Sequence, residues 1–461
     1  MVSNVKSIRE YGKVIISLFF LILISRLPFI TNDYGSDPDA YRVANTAYHL
    51  SNSIFDYSAS RLPGYPVHEF SSSLLIKFGH YGTNGLTLIL STTACIIFML
   101  ILIKMRFRSI TLTTLAFSFT PVIYINSTCT MDYMWALLFI LTAWYFILIK
   151  KLRLAGFFLG LAIGCRITSG FMLFPYIFYL FQFRSKSEVS IKEIFAFILV
   201  TLSIGTLCFL PVFIKYNLEF FTFYEHGYSL RSAINISTIG VWGTIGFVFI
   251  LFILQYVVFF QKKISDERPA LLSMRRLFID YEHSTYLIVI SLYLIVFFRL
   301  PHEAGYLIPA IPFFIMLLSR LTIKNHDIFK VFCIGLFLSS FVEISSSGIY
   351  LGPIFQDYKT RVSADSEATE IISRVKLNHN SLIIAGPTLP RLISKNIFKD
   401  EVQNNKLIYL ITDENEYQEY IEKGYSIFFL PGMDNYNKLI YGIDIVGNGA
   451  EKLDKVLRNE K

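Results

Sequence analysis

The chain has 461 residues, of which 54% are hydrophobic and only 16% charged, with a mean hydropathy of +0.51. That composition excludes an ordinary soluble protein and places the chain among membrane proteins. The net charge of +8 does not point to nucleic acid, because the basic residues sit in short clusters between apolar runs. Five cysteines are present, four of them (Cys95, Cys165, Cys208 and Cys333) inside apolar runs, so neither a disulfide framework nor metal spacing is present.

Lys6, Arg9 and Lys13 precede the apolar run Val14 to Ile30. The run is long enough to span a bilayer and no small-residue cleavage site follows, so it reads as a retained first transmembrane helix. A polar loop over residues 31–85 comes next. It carries Asp33, Asp37, Asp39, Asp56 and Glu69, an RLPGYP turn and His68, and reads as two short amphipathic helices around a Pro/Gly break. A loop of that length is functional or disordered, and its aromatic content argues against disorder.

Length and apolarity then predict about eleven spans, at 14–30, 86–103, 110–126, 133–149, 154–168, 170–183, 194–214, 239–260, 284–300, 305–319 and 328–347. Basic residues occupy alternate connections: Lys104/Arg106/Arg108, Lys150/Lys151/Arg153, Arg184/Lys186/Lys192, Lys262/Lys263/Arg268/Arg275/Arg276 and Arg320/Lys324. The positive-inside rule makes that set cytoplasmic. The first loop, the Asn126–Asp132 turn, the Lys215–Thr238 loop and the Arg299–Glu303 turn then lie outside. These features describe a polytopic α-helical membrane protein, expected in the inner (plasma) membrane of a bacterium, or in the endoplasmic reticulum if the source is eukaryotic.

The last part changes character. Residues 350–461 carry 14 basic and 16 acidic residues, a net charge of −2, and the preceding 1–349 carry the remaining +10. Helix near Asp365–Lys376, strand Ser381–Ala385, helix near Leu389–Asn396, strand Lys406–Ile411, helix Glu414–Lys423, strand Tyr425–Leu430 and a final helix near Ala450–Arg458 alternate. That order predicts a small extracytoplasmic α/β domain with a mostly parallel sheet. AGPTLPR after its first strand lacks a GxGxxG pattern, so no nucleotide is assigned.

Asp37 and Asp39 flank Pro38 in DPDAYR. Two carboxylates so close serve as general base, metal ligand or hydroxyl binder. The bland alternative is a helix N-cap by Asp37 with Pro38 at the first helical position. Arg166, in LAIGCRITSG, and Arg26 lie near outer helix ends, and Arg299, His302 and Glu303 share an outer turn. Ionisable groups inside membrane segments are costly and functional by default. Snorkelling to the interface is the alternative and suits Arg26. Glu343 reads as a further membrane-embedded acid, and Asp132 in the TMDY turn as a helix cap.

In order and spacing, residues 14–320 resemble the GT-C superfamily of polyprenyl-phosphate-sugar-dependent glycosyltransferases, which includes protein O-mannosyltransferases and lipid A aminoarabinose transferases. The matching features are DPDAYR, SRLPGYPVHE, MDYMWALLFILTAWYF, KKLRLAGFFLGLAIGCRITSGFMLFP and RLPHEAGYLIPAIPFF. The chain departs in having Asp-Pro-Asp where the mannosyltransferases carry Asp-Glu, and Ala304-Gly305 where many relatives place a basic residue before the Tyr. The resemblance implies a polyprenyl-phosphate-linked sugar donor, a hydroxyl acceptor on lipid, glycan or protein, and inversion at the anomeric carbon. It makes Asp39, or Asp37, the base. It assigns Arg166, Arg299 and His302 to the donor phosphate, and Tyr41, Arg61, Tyr65, His68, Glu69, Glu303 and Tyr306 to substrate. The carboxylates permit a divalent metal without requiring one. The competing readings are a lipid or glycan transporter or flippase, a polysaccharide polymerase, and a non-catalytic subunit. Against transport stand the absence of an internal repeat and the concentration of polar residues away from the midplane.

Overall fold

A computed structural model describes residues 11–184, 189–219, 229–265, 281–345, 347–375, 381–397 and 406–453. Several basic residues used for orientation, at 1–10, 185–188 and 266–280, lie outside these, as do 220–228 of the Lys215–Thr238 connection.

Helix α1 (Gly12–Arg26) leads into the first loop, which folds as α2 (Pro38–Asn52) and α3 (Pro66–Ser73). The bundle continues with α4 (Gly79–Lys104), α5 (Ile110–Ser118), α6 (Pro121–Asn126), α7 (Tyr133–Leu148), α8 (Leu152–Cys165), α9 (Leu173–Arg184), α10 (Ile191–Tyr216), α11 (Leu230–Asn235), α12 (Val241–Ser265), α13 (Tyr281–Arg299), α14 (Ile311–Leu321) and α15 (His326–Leu338). Six apolar stretches among the described residues are long enough to cross a membrane, and three shorter apolar helices accompany them. The expected span 110–126 is broken at Pro121, whose missing N–H and ring start α6 afresh. The expected span 328–347 is also corrected. Its helix ends at Leu338, and the chain turns into an antiparallel hairpin of β1 (Val342–Ser345) and β2 (Gly348–Leu351). Glu343 is therefore not membrane-embedded in a helix. It lies opposite Tyr350 in the hairpin and accepts a hydrogen bond from Gln356.

Packing in the bundle follows small residues. Gly156, Gly160 and Gly164 line one face of α8 at four-residue spacing and bring it against α10. A Cβ on Gly160 would sit 2.5 Å from that of Ile204. Close backbone approach of this kind is how helices associate where lipid removes the hydrophobic drive. At one end of the bundle Arg320 reaches the Met105 carbonyl at 3.0 Å and Glu282 at 2.9 Å, and His326 meets Ser109 at 2.8 Å. The loop of α2 and α3 closes the other end.

The C-terminal part comprises α16 (Pro353–Val375), β3 (Ser381–Ile384), α17 (Leu389–Ile397), β4 (Lys406–Ile408), α18 (Glu414–Glu422), β5 (Ser426–Phe429), α19 (Met433–Tyr441) and β6 (Glu451–Lys452). Its sheet runs in the order β4-β3-β5-β6 and every pairing is parallel. Side chains alternate as the pleat requires. Leu382, Ile384, Ile427 and Phe429 pack on one face with Tyr417, while Ile383 and Phe428 pack on the other with Ala368 and Leu392. Both faces are covered, as parallel sheets demand. Of the expected final helix near Ala450–Arg458, residues 451–452 form an edge strand, and 454–461 lie outside the described residues. Helix α19 is not among the elements expected from the sequence.

This α/β layer sits on the first loop. Asn45 donates to the Pro390 carbonyl at 3.0 Å, the Arg391 guanidinium lies 4.6 Å above the Tyr41 ring, and Lys395 approaches Asp33 at 3.4 Å.

Candidate active site

Asp37 caps α2. Its side chain accepts from the Asp39 N–H at 2.8 Å, and Pro38 occupies the first helical position. The cap places Asp39 in the first turn, aimed away from the apolar face of α2. One Asp39 oxygen takes Arg42 at 3.2 Å and the other takes Arg61 at 2.9 Å.

Arg61 is held by its own turn. Glu69, fully buried on α3, accepts from Tyr57 Oη at 2.5 Å, Ser60 N at 2.8 Å, Ser60 Oγ at 2.6 Å and Tyr65 N at 3.2 Å. Four donors converge on this one carboxyl, so Glu69 fixes the RLPGYP turn and does not face an open space. Arg61 then lies 4.1 Å above the Tyr65 ring and reaches Asp132 at 2.9 Å.

Asp132 departs from the helix cap expected of it. It precedes α7 but makes no side-chain capping bond. Instead it is fully buried and bridges two guanidiniums, Arg61 on one oxygen and Arg166 at 2.6 Å on the other. Burial pushes its carboxyl up, but Arg166 and Arg61 outweigh burial and hold it below the ordinary value. Arg166 ends α8 in extended backbone and lies 4.1 Å from the Tyr133 ring centre and 4.7 Å from that of Tyr306.

Glu303 closes the cluster. It lies between α13 and α14 and accepts a hydrogen bond from the Tyr133 hydroxyl. It also offers an oxygen that, with one each from Asp37 and Asp39, forms a group within 4.8 Å. Burial first, then Asp37, raises its carboxyl to about 8. Burial and the Asp39 charge also raise Asp37. The three oxygens are close enough for a divalent cation, but Arg61 and Arg42 already supply positive charge to Asp39.

A carboxyl whose folded-state pKa is raised contributes stability that is complete below its ordinary value and lost as pH rises through the raised one. For Glu303 the window runs from 4.5 to about 8. Thermal unfolding in detergent is expected to weaken across that window in the wild type and much less in Glu303→Gln. Parallel pH profiles would refute a protonated Glu303.

The remaining expected residues are placed as follows. Tyr306 and Tyr65 join the cluster. Arg299 and His302 stay exposed at the rim of the turn that sends Glu303 inward. Tyr41 is buried under Arg391, away from Asp39, and its ring meets Tyr34 edge-on at 5.7 Å. His68 is buried against Trp135, ring centres 5.0 Å apart, and burial lowers its imidazole to about 4. Arg26 does not snorkel. It is fully buried, donates to Ser127 at 2.6 Å and to the Ser118 carbonyl, and lies over Tyr124. Asp132, Tyr133 and Arg42 were not among the expected site residues. An acid between two apolar helices was the available signal for the first.

No family model and no curated protein sequence matches the chain. A crystal structure does: ArnT from Cupriavidus metallidurans in the apo state, with a TM-score of 0.50 at 14% identity, covering 98% of this chain and 94% of that one. The fold is that of ArnT. A crystal structure of ArnT from the same organism bound to undecaprenyl phosphate gives a TM-score of 0.48 at 12% identity, covering 97% of this chain and 90% of that one. ArnT is a lipid A aminoarabinose transferase of the GT-C superfamily, the group to which the sequence resemblance pointed. The likeness to ArnT runs through membrane helices, first loop and C-terminal layer alike, since nearly the whole of both chains is covered.

Proposed function

We propose that this protein is an inverting glycosyltransferase that moves a sugar from a polyprenyl-phosphate donor to a hydroxyl acceptor at the outer face of the membrane. One observation carries the reading. Arg61, 10% exposed at its side chain, is salt-bridged to both Asp39 and Asp132 and keeps a buried Nη1 without a hydrogen-bond partner. An unsatisfied buried guanidinium nitrogen is costly, and an anionic oxygen is the partner that relieves it. The ArnT fold and the spacing of the motifs support the same assignment.

In the proposed step the acceptor oxygen forms its bond to the anomeric carbon as the bond from that carbon to the phosphate oxygen breaks. The acceptor proton passes to a carboxylate. Both Asp39 oxygens are engaged by guanidiniums, whereas Asp37 is pushed toward greater basicity and faces Glu303. Inversion also wants the base on the side of the sugar away from the phosphate. Asp37 is therefore favoured over Asp39 as the base. Asp39 then fixes Arg61, and Arg61 with Arg166 offsets the charge on the departing polyprenyl phosphate.

The test is binding of undecaprenyl phosphate to the purified chain, read by native mass spectrometry. The wild type is expected to bind it, and Arg61→Ala to weaken binding roughly tenfold or more, as loss of a charge-assisted contact implies. No binding by the wild type, or equal binding by Arg61→Ala, overturns the phosphate assignment.

A further inference from the structure

Two segments build the site from opposite sides. Residues 33–39 deliver Asp37 and Asp39, and residues 125–132 deliver Asp132. The two run against each other. The Thr130 N–H donates to the Tyr34 carbonyl at 2.8 Å, and a Cβ added to Gly35 would come within 3.2 Å of the Cys129 Cβ.

A third segment holds both. Asp357 and Arg361 lie one turn apart on α16 and pair at 2.7 Å. Asp357 accepts from the Ser36 hydroxyl at 2.6 Å, immediately before Asp37. Arg361 donates to the Thr128 carbonyl at 2.9 Å, the Thr128 hydroxyl at 3.2 Å, the Phe29 carbonyl at 3.3 Å and the Ile125 carbonyl at 3.5 Å. Its side chain is 1% exposed. A buried arginine set among carbonyls is expensive unless its geometry is held, and its planar fork fixes several acceptors at once.

We infer that Asp357 and Arg361 are a positioning pair that sets the distance between the acid loop and the Asp132 turn. α16 is then the means by which the C-terminal layer acts on the chemistry without touching substrate. The inference rests on the proposed function for its kinetic consequence, but not for its structural one. Arg61 pairs with both Asp39 and Asp132, so a shift of either segment changes where its free nitrogen points relative to the carboxylates. Misplacement of about 1 Å costs up to roughly a hundredfold in rate, and supporting contacts of this kind are what hold a site in register.

The experiment uses the full chain in nanodiscs with two readouts. Amide hydrogen exchange without substrate is measured over 33–39 and 125–132, with α18 as the internal reference. Transfer from a polyprenyl-phosphate sugar is measured as kcat and donor KM. Arg361→Ala is expected to speed exchange in both segments together and leave α18 unchanged. Ser36→Ala, a milder change, is expected to speed it in 33–39 alone. Arg361→Ala is expected to lower kcat roughly ten- to hundredfold with donor KM within about twofold, the pattern of a lost transition-state arrangement. Lys438→Ala, at an exposed ion pair with Asp444, should change neither. Unchanged exchange in both segments overturns the inference. So does faster exchange throughout the bundle, which would make the pair general glue, or an unaltered kcat where both segments have loosened. Because exchange needs no substrate, an inactive wild type would remove the function reading while exchange still decides the pinning.

Discussion

Asp132→Ala is expected to destabilise the protein by about 3–5 kcal/mol, the range for removing one partner from a buried ion pair. The carboxylate is fully buried and is the shared partner of Arg61 and Arg166, which are each 10% exposed at the side chain. Its removal leaves Arg166 without its anion and Arg61 with Asp39 alone, in surroundings made of Tyr65, Tyr133 and Tyr306 rings. Asp132→Asn keeps the shape and loses the charge, so it should retain part of the packing and still lose most of the pairing. Unfolding in detergent measures both. The double variant Asp132→Ala/Arg166→Ala should cost less than the two single changes added together, because the second change removes a charge that the first has stranded. The exposed Lys438–Asp444 pair gives the contrast: its loss should be scarcely measurable, as at other solvent-screened pairs. A loss below about 1 kcal/mol for Asp132→Ala would show that water or rearrangement compensates the guanidiniums and that the buried pairs contribute little.

The largest kinetic effect is expected at Asp37. Asparagine is as good an N-cap as aspartate, so Asp37→Asn should keep the start of α2 and the measured stability. What it removes is the proton acceptor. Transfer should fall by roughly two to four orders of magnitude, the usual contribution of a general base, with undecaprenyl phosphate still bound. Asp37→Ala adds about 1 kcal/mol of destabilisation from the lost cap. Asp39→Asn should behave differently: by freeing Arg61 it should weaken phosphate binding as well as rate. If Asp37→Asn transfers at near the wild-type rate while Asp39→Asn is inactive with donor still bound, the base is Asp39 and the geometric argument from its two guanidinium partners fails.

Glu303 links these two results. It touches Tyr133 on the Arg166 side and shares its other neighbourhood with Asp37 and Asp39. A protonated Glu303 keeps a third negative charge out of that space, and its ionisation as pH rises through about 8 introduces one.

Much of this was readable from residue order. The apolar runs gave the six helical stretches long and apolar enough to span a bilayer, because a bilayer sets the length of such runs. The Asp37–Pro38 pair announced the start of α2, since capping depends only on neighbours in sequence. The alternation after residue 350 gave three of the four strands of the parallel sheet through local pattern alone. The errors have a common cause. Arg26 looked able to snorkel, but its acceptors Ser118 and Ser127 come from a distant part of the chain. Asp132 looked like a cap, but its partners lie 71 residues before it and 34 after it. Glu69 looked like a substrate ligand, but it is used up by the backbone and hydroxyls of its own turn. Residue type and short-range spacing thus determined which segments form apolar helices, which helix starts at the acid motif and where along the chain the charged side chains lie. Only the tertiary structure decided which of those charges face each other, because ion pairing between distant segments depends on how the helices pack, and side-chain identity does not encode it.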